Sequence, residues 1–142
     1  MPKVGVKLLK DFAKLPEFKS KGAACADGYA VEDVIIPPGA IAMVGLGIAL
    51  EIPTGYEVQV RQRSGLASKG IIVANSPGTV DEDYTGEIKV ILFNSTKDCV
   101  GIRIGDRVCQ LAVRQVEQTY FVPVNSIRDT ERGSNGFGST GR

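Results

Sequence analysis

The chain has no histidine and no tryptophan. Without histidine there is no Ser–His–Asp triad, no Cys–His nucleophile pair and no His-ligated zinc. An enzyme built on this sequence takes its general base from a carboxylate, or its catalysis from a metal held by oxygen. Cysteine is scarce. Cys25, Cys99 and Cys109 are odd in number and lack CxxC spacing, so neither a disulfide framework nor a zinc site is expected. Aromatic residues make up only 6%, which leaves the core to Val, Ile, Leu and Ala. An excess of one charge is also missing: 17 basic against 16 acidic side chains give +1. That balance argues against wrapping polymeric nucleic acid, which needs a broad basic face. It leaves room for a nucleotide, whose charge a few placed arginines can meet. No apolar run reaches the length of a membrane span, and the amino terminus has no signal-like apolar stretch. An intracellular, cytoplasmic protein without membrane contact is expected; a nuclear or viral setting stays open.

What the chain does contain is a turn at short intervals. Pro37-Pro38-Gly39, Pro53-Thr54-Gly55, Ser76-Pro77-Gly78, Thr85-Gly86, Gly105-Asp106 and Val124-Asn125 are all turn signals. Between them the pattern has period two. Tyr56, Val58 and Val60 alternate with Glu57, Gln59 and Arg61. Ile88, Val90 and Leu92 share one face of a run, and Tyr120, Val122 and Val124 repeat the alternation. Short β-branched runs with frequent turns predict an all-β sandwich or barrel. One short helix is predicted after Ser64, ended by Gly70. Leu8 to Phe18 has some helical spacing, but Pro16 interrupts it. With 142 residues, one domain is expected.

The segment Arg132 to Arg142, RGSNGFGSTGR, is unlike the rest. It holds Gly133, Gly136, Gly138 and Gly141 around a single aromatic, Phe137. It has too little apolar mass to pack a core. It does hold what a nucleotide needs: a flat face in Phe137, hydroxyls in Ser139 and Thr140, and the donor fork of Arg132. Glycine leaves backbone N–H groups free to approach an anion. The plainer reading is a disordered polar tail, as chain ends commonly are. The GxxxxGKS/T phosphate-loop pattern is absent.

Polar and glycine residues concentrate in five clusters: AACADGYA (23–30), RSGLASKG (63–70), NSPGTVDEDYTGE (75–87), GDRVCQL (105–111) and the tail. Their order and content resemble the five motifs of the trimeric dUTPase family, over about Ala23 to Gly141. VDEDYTGE and RGSNGFGSTG are the most specific. The sequence departs from the family pattern at Cys25 (usually Gly), Gly28 (usually Leu), Gln62 (usually Pro) and Asn135 (commonly Gly). None of these removes a reacting group.

The resemblance implies a jelly-roll-like β-barrel, residues 1–130, with a flexible Gly-rich arm, 131–142. It implies a homotrimer with arm exchange, in which one subunit gives the first, second and fourth motifs, a second the hairpin and a third the arm. The implied reaction is Mg²⁺-dependent hydrolysis of dUTP to dUMP and pyrophosphate. By the same resemblance Asp81 is the catalytic base, activating a water against the α-phosphorus, and Tyr84 packs on the deoxyribose and excludes a 2′-hydroxyl. Ser64 and Gln110 contact the phosphates, Arg63 helps hold the site, and Gly65 stands behind them in the substrate-binding set. Phe137 stacks on uracil, while Arg132, Gly138, Ser139 and Thr140 close over the γ-phosphate. Asp27 matches an aspartate that holds the metal's water shell.

The residues themselves allow plainer readings. Asp81 and Asp83 share a face if the segment is extended, as a solvent-facing acidic patch would. Ser64 reads as a helix cap, Asp27 as an Asx turn before Gly28, and Asp106 with Arg107 as a turn and ion pair. A hairpin from Asn75 to Val80, with Gly78 allowing close approach, can present uracil with complementary backbone groups and reject cytosine and thymine. The rival of the same fold is a dCTP deaminase, or a bifunctional deaminase–pyrophosphatase, which generally lacks the aromatic Gly-rich tail. The rival of another class is a nucleotide-sensing regulatory binding protein without turnover.

Overall fold

The protein is described by a computed structural model covering residues 1–141. The arm's last residue, Arg142, lies outside the described residues. Ten strands and one short helix follow in order: β1 (Gly5–Leu8), β2 (Ala26–Tyr29), β3 (Val34–Ile36), β4 (Ile41–Glu51), β5 (Tyr56–Arg61), α1 (Ser64–Ala67), β6 (Ile71–Val73), β7 (Gly78–Val80), β8 (Glu87–Asn94), β9 (Val100–Ile102) and β10 (Arg107–Gln115). Two four-stranded sheets, ordered β1-β4-β8-β6 and β2-β10-β5-β7, make the jelly-roll-like body. The strand pairs are antiparallel throughout, with β3 and β9 forming a small third sheet.

Alternation places the core. On β8, Ile88, Val90 and Leu92 point inward, and on β5 Val58 and Val60 do the same. They meet Val44, Leu46 and Ile48 of β4 and Val108 and Leu111 of β10 in one apolar cluster. β4 does not alternate cleanly, because its register shifts between Gly45 and Ala49. Gly47 at this bulge has φ +63°, and a Cβ there would lie 2.7 Å from Cγ1 of Val31. Only glycine fits both the angle and the space. The bulge's N–H groups are taken by carboxylates: Gly45 donates to Glu32 and Gly47 to Glu87.

The inward end of β8 is polar. Asn94 is fully buried and fully satisfied: Nδ2 donates to the carbonyls of Ile36 and Asp98, and Oδ1 accepts from the N–H and hydroxyl of Thr96. Two donors and two acceptor lone pairs are all used, so its burial carries no desolvation penalty left unmatched.

Two sequence expectations are corrected here, on the segment Tyr120 to Val124 and on the cap of α1, and the helical spacing that Pro16 interrupts gives no helix. Tyr120, Val122 and Val124 form no strand: the last strand ends at Gln115 and these side chains are exposed. Alternation makes a strand possible, but a strand also needs a ladder partner, and this segment leaves both sheets. Leu8 to Phe18 forms no helix; Leu8 closes β1, and Glu17 bridges to Asp27 across an isolated pair. The helix after Ser64 does form and is followed by Gly70 at φ +84°, but Ser64 is its first residue and Arg63 occupies the cap.

Candidate active site

The first, second and fourth clusters converge on Asp27. It lies within β2, not in an Asx turn, and only 3% of it is exposed. Its Oδ1 faces Arg63 Nε at 3.4 Å and accepts from Gln110 Nε2 at 3.3 Å. Its Oδ2 accepts from Arg107 Nη1 at 3.2 Å. Sheet register explains the meeting: β10 pairs Gln110 with Asp27 on one side and with Arg61 of β5 on the other. Arg63 follows two residues after Arg61 and reaches back, donating from Nη1 to the Arg107 carbonyl at 3.1 Å. Arg107 therefore pairs with Asp27 and not with its neighbour Asp106, whose carboxylate accepts the Arg103 N–H in the turn before β10. Sequence reasoning gave Arg107 a purely local role; its membership of the fourth cluster was the available signal.

The Gly28 departure has a packing reason. A Cβ at Gly28 would lie 2.7 Å from Cys109 Sγ and 3.1 Å from a Leu46 methyl. The thiol occupies the space beside the glycine, where the β10 register shifts. Burial pushes the Cys109 thiol up to about 12, with the nearby Asp27 carboxylate adding to the rise. That thiol is packing, not chemistry.

Ser64 and Gly65 open α1, and a Cβ at Gly65 would meet nothing within 4 Å. The first N–H groups of a helix have no partner inside it. Arg63 as cap supplies no side-chain oxygen to satisfy them.

The third cluster forms a separate centre. The β6–β7 connection carries Asn75, whose Nδ2 lies 2.9 Å from where a Gly78 Cβ would stand. Gly78 is thus small because the Asn75 amide folds across it. β7 ends at Val80, paired with Val58 of β5. Asp81 to Tyr84 then forms a turn, with the Tyr84 N–H donating to the Asp81 carbonyl at 3.1 Å. The segment is not extended, so Asp81 and Asp83 do not share a strand face. Glu82 points the other way and accepts from the Gly55 N–H, which ties the turn to the β4–β5 connection. Among the described residues the Asp81 carboxylate has no hydrogen bond or ion pair. Tyr84 is half exposed and donates its hydroxyl to the Glu87 carbonyl at 3.0 Å.

Asp81 borders two recesses. One, of about 290 Å³, is lined by Met43, Thr79, Val80, Tyr84, Glu87, Ile88, Lys89 and Ile91. The other, of about 390 Å³, is lined by Tyr56, Glu57, Glu82, Asp83, Val116 and Gln118. Neither is lined by Arg63, Ser64, Gln110 or the arm. The arm holds a recess of its own among Thr130, Glu131, Arg132, Asn135, Ser139 and Thr140. Phe137 has φ +53° and is fully exposed, and Gly138 beside it has φ +85°. Arg132 is folded locally, donating from Nε to the Asn135 carbonyl. One chain thus presents three groups of site residues that do not meet in a common cavity.

No helix among the described residues is long and apolar enough to cross a membrane. Nor does any group of three His, Cys, Asp or Glu among them converge as a metal cage.

Comparison with known proteins identifies the family. Residues 11–141 match the family described as dUTPase. The chain is 48% identical over 141 residues to the deoxyuridine 5'-triphosphate nucleotidohydrolase of Nautilia profundicola, covering 99% of each. It is 48% identical over 142 residues to the enzyme of that name from Zymomonas mobilis, covering 98% of this chain and 97% of the relative. Among solved structures it resembles a Staphylococcus bacteriophage 80alpha dUTPase variant with dUpNHpp, with TM-score 0.90, 25% identity and 99% coverage of both chains. It shares the fold of a dUTPase from phage phi11 of S. aureus that coordinates a structural Mg(II) ion, with TM-score 0.82, 23% identity and coverage of 89% and 99%. By the family match and by identity over nearly its whole length, this chain belongs to the dUTPase family.

Proposed function

We propose that this protein hydrolyses dUTP to dUMP and pyrophosphate, limiting uracil entry into DNA and supplying dUMP. The observation that carries the reading is Asp81: an unpaired carboxylate on a tied turn, directly before Tyr84, in a chain of this family. In the step itself, a water oxygen attacks the α-phosphorus and its proton passes to Asp81. The bond from the α-phosphorus to the bridging oxygen breaks, and pyrophosphate leaves. Aspartate is a weak base, so charge stabilisation on the phosphates carries much of the barrier. Arg63, Gln110 and the free N–H groups of Ser64 and Gly65 are suited to that work.

The hairpin Asn75–Val80 reads uracil, with Asn75 leaving its place over Gly78 as the base enters. Tyr84 stands where a ribose hydroxyl would collide. Phe137 covers the base, and Arg132, Gly138, Ser139 and Thr140 hold the γ-phosphate.

The assembly we propose is a homotrimer. Its support is the separation of the three residue groups, which a single copy leaves without a shared recess. Tyr120, Phe121, Val122, Val124 and Ile127, all exposed, are apolar surface for a neighbouring copy to cover. In functional terms residues 1–130 form the barrel and 131–142 the closing arm. Mg²⁺ is the proposed cofactor. The absence of a convergent protein cage among the described residues suits a cation carried by phosphate oxygens and water.

Asp81→Asn tests the reading. The variant should bind the non-hydrolysable analogue dUpNHpp as the parent does, with kcat lower by about a thousandfold, the usual range for loss of a general base. Turnover within a few-fold of the parent rules Asp81 out as the base.

A further inference from the structure

Gly86 stands two residues after Tyr84, and the reaction above gives it no part. Its φ lies outside the left-handed region, so that angle does not call for glycine. Space does. A Cβ at Gly86 would lie 2.6 Å from the Tyr84 hydroxyl oxygen, 2.7 Å from its Cζ and 3.2 Å from its Cε2. The three nearest atoms all belong to one side chain, whose ring lies across the glycine. The ring is fastened at its far end, where the hydroxyl donates to the Glu87 carbonyl at 3.0 Å. Glu87 is itself anchored: it opens β8, pairs with Ala49 of β4, and accepts the Gly47 N–H on Oε1 at 3.1 Å. At the near end, the Tyr84 N–H closes the turn from Asp81. Tyr84 and Asp81 border the same recess of about 290 Å³.

We infer that Gly86 is a positioning residue for sugar specificity: its bare backbone seats the Tyr84 ring and so fixes the wall that tells deoxyribose from ribose. The inference rests on the proposed reading in which Tyr84 excludes a 2′-hydroxyl, and it names what holds that wall in place. Rejecting a ligand for one extra oxygen needs the wall set to within about 0.5 Å. A side chain locked on every side by packing achieves this, but Tyr84 is half exposed. Two contacts do the work of the missing shell: the flat backbone at Gly86 along the ring, and the hydrogen bond at its tip. A methyl group at Gly86 removes both together. It overlaps the hydroxyl and Cζ, so the ring has to swing off its seat, and the displaced hydroxyl leaves the Glu87 carbonyl. The φ at Gly86 accepts alanine, so the main chain and the turn that carries Asp81 keep their course.

The test measures binding of dUpNHpp and of its ribose counterpart UpNHpp to the parent, to Gly86→Ala, to Tyr84→Ala and to the double variant. Gly86→Ala should reduce the preference for the deoxy ligand about tenfold, the scale on which one methyl group in a pocket acts. In the Tyr84→Ala background the same substitution should change the preference by less than about twofold, because the ring through which it acts is gone. A parental preference in Gly86→Ala overturns the inference. So do equal losses for the two ligands, which mean a merely structural role, and so do additive effects in the double variant, which mean a route other than the ring. If Gly86→Ala does not fold, the double variant decides: it should fold and bind both ligands as Tyr84→Ala does, since the methyl's closest neighbours have been removed. Its failure to fold means that the methyl collides with something other than Tyr84, and the inference falls. The proposed function fails separately. A parent that does not turn over dUTP loses the reaction, and a parental preference in Tyr84→Ala removes Tyr84 from the sugar site and Gly86 with it. A reduced preference in Tyr84→Ala beside a parental one in Gly86→Ala overturns the role of Gly86 alone.

Discussion

Between Gly5 and Gln115 the strands turn most of their Val, Ile and Leu inward, with Leu8, Ile35 and Ile41 exposed, and the buried polar groups Asp27 and Asn94 are each tied to several partners. From Val116 to Gly141 the rule reverses: every large apolar side chain, from Tyr120 to Phe137, is exposed. Hydrogen bonding in the arm's glycine-rich end is local, within turns such as Gly133 to Thr130 and Ser139 to Gly136. The barrel is thus organised by contacts far apart in sequence and the arm by neighbours. Stability resides in the first region. The second holds Arg132, Phe137, Ser139 and Thr140, to which the proposed function assigns recognition.

The comparison can be broken most sharply by cutting it. A chain ending before Arg132 should keep the barrel's melting temperature and lose activity by about 100-fold or more, as expected when closure completes a site. Full activity in the shortened chain, measured by pyrophosphate release, reduces the arm to a tail. Phe137→Ala is a finer cut. Stacking on a base is worth about 1–3 kcal/mol, so KM for dUTP should rise roughly tenfold while the melting curve does not move. An unchanged KM removes Phe137 from the base site.

The barrel side is sharpened by glycine pairs. Gly47→Ala adds a methyl at positive φ and against Val31, and should destabilise the fold by about 1–3 kcal/mol. Gly136→Ala in the arm meets nothing within 4 Å and should stay within about 0.5 kcal/mol of the parent. Denaturant midpoints separate the two, and equal effects contradict the division. The smallest effect concerns Cys109. Its thiol is raised to about 12 in the fold, so the native state holds its proton more tightly than the unfolded chain. That contribution is complete below the ordinary thiol pKa and declines as pH rises from there toward 12. Cys109→Ala should lower stability at neutral pH by leaving a small cavity, yet flatten the alkaline decline. A decline of equal slope in the variant means that other groups set it.

How much the sequence disclosed follows the same division. β5 and β8 were legible because Val58, Val60, Ile88, Val90 and Leu92 face a core, and burial writes period two into a strand. α1 was legible from its closing Gly70. β4 was not, because Gly45 and Gly47 break the alternation at a bulge that only the packed sheets reveal. Tyr120 to Val124 misled for the converse reason: the pattern is that of a strand, but pairing is a property of the assembly. The cluster motifs named candidate site residues, yet the gathering of Arg63, Arg107 and Gln110 on Asp27 depends on register between β2, β10 and the end of β5. No spacing rule along one chain encodes such a register. The turn at Asp81 to Tyr84 was likewise hidden, since VDEDY reads equally well as an extended segment.

The most direct measurement is pyrophosphate release with Mg²⁺ from dUTP, dCTP, dTTP and UTP in parallel, with the base of each product identified. The account predicts release from dUTP alone, on the proposal that the hairpin selects uracil and Tyr84 the deoxy sugar. Conversion of dCTP to a uracil product, or binding of dUTP without turnover of any substrate, would contradict it.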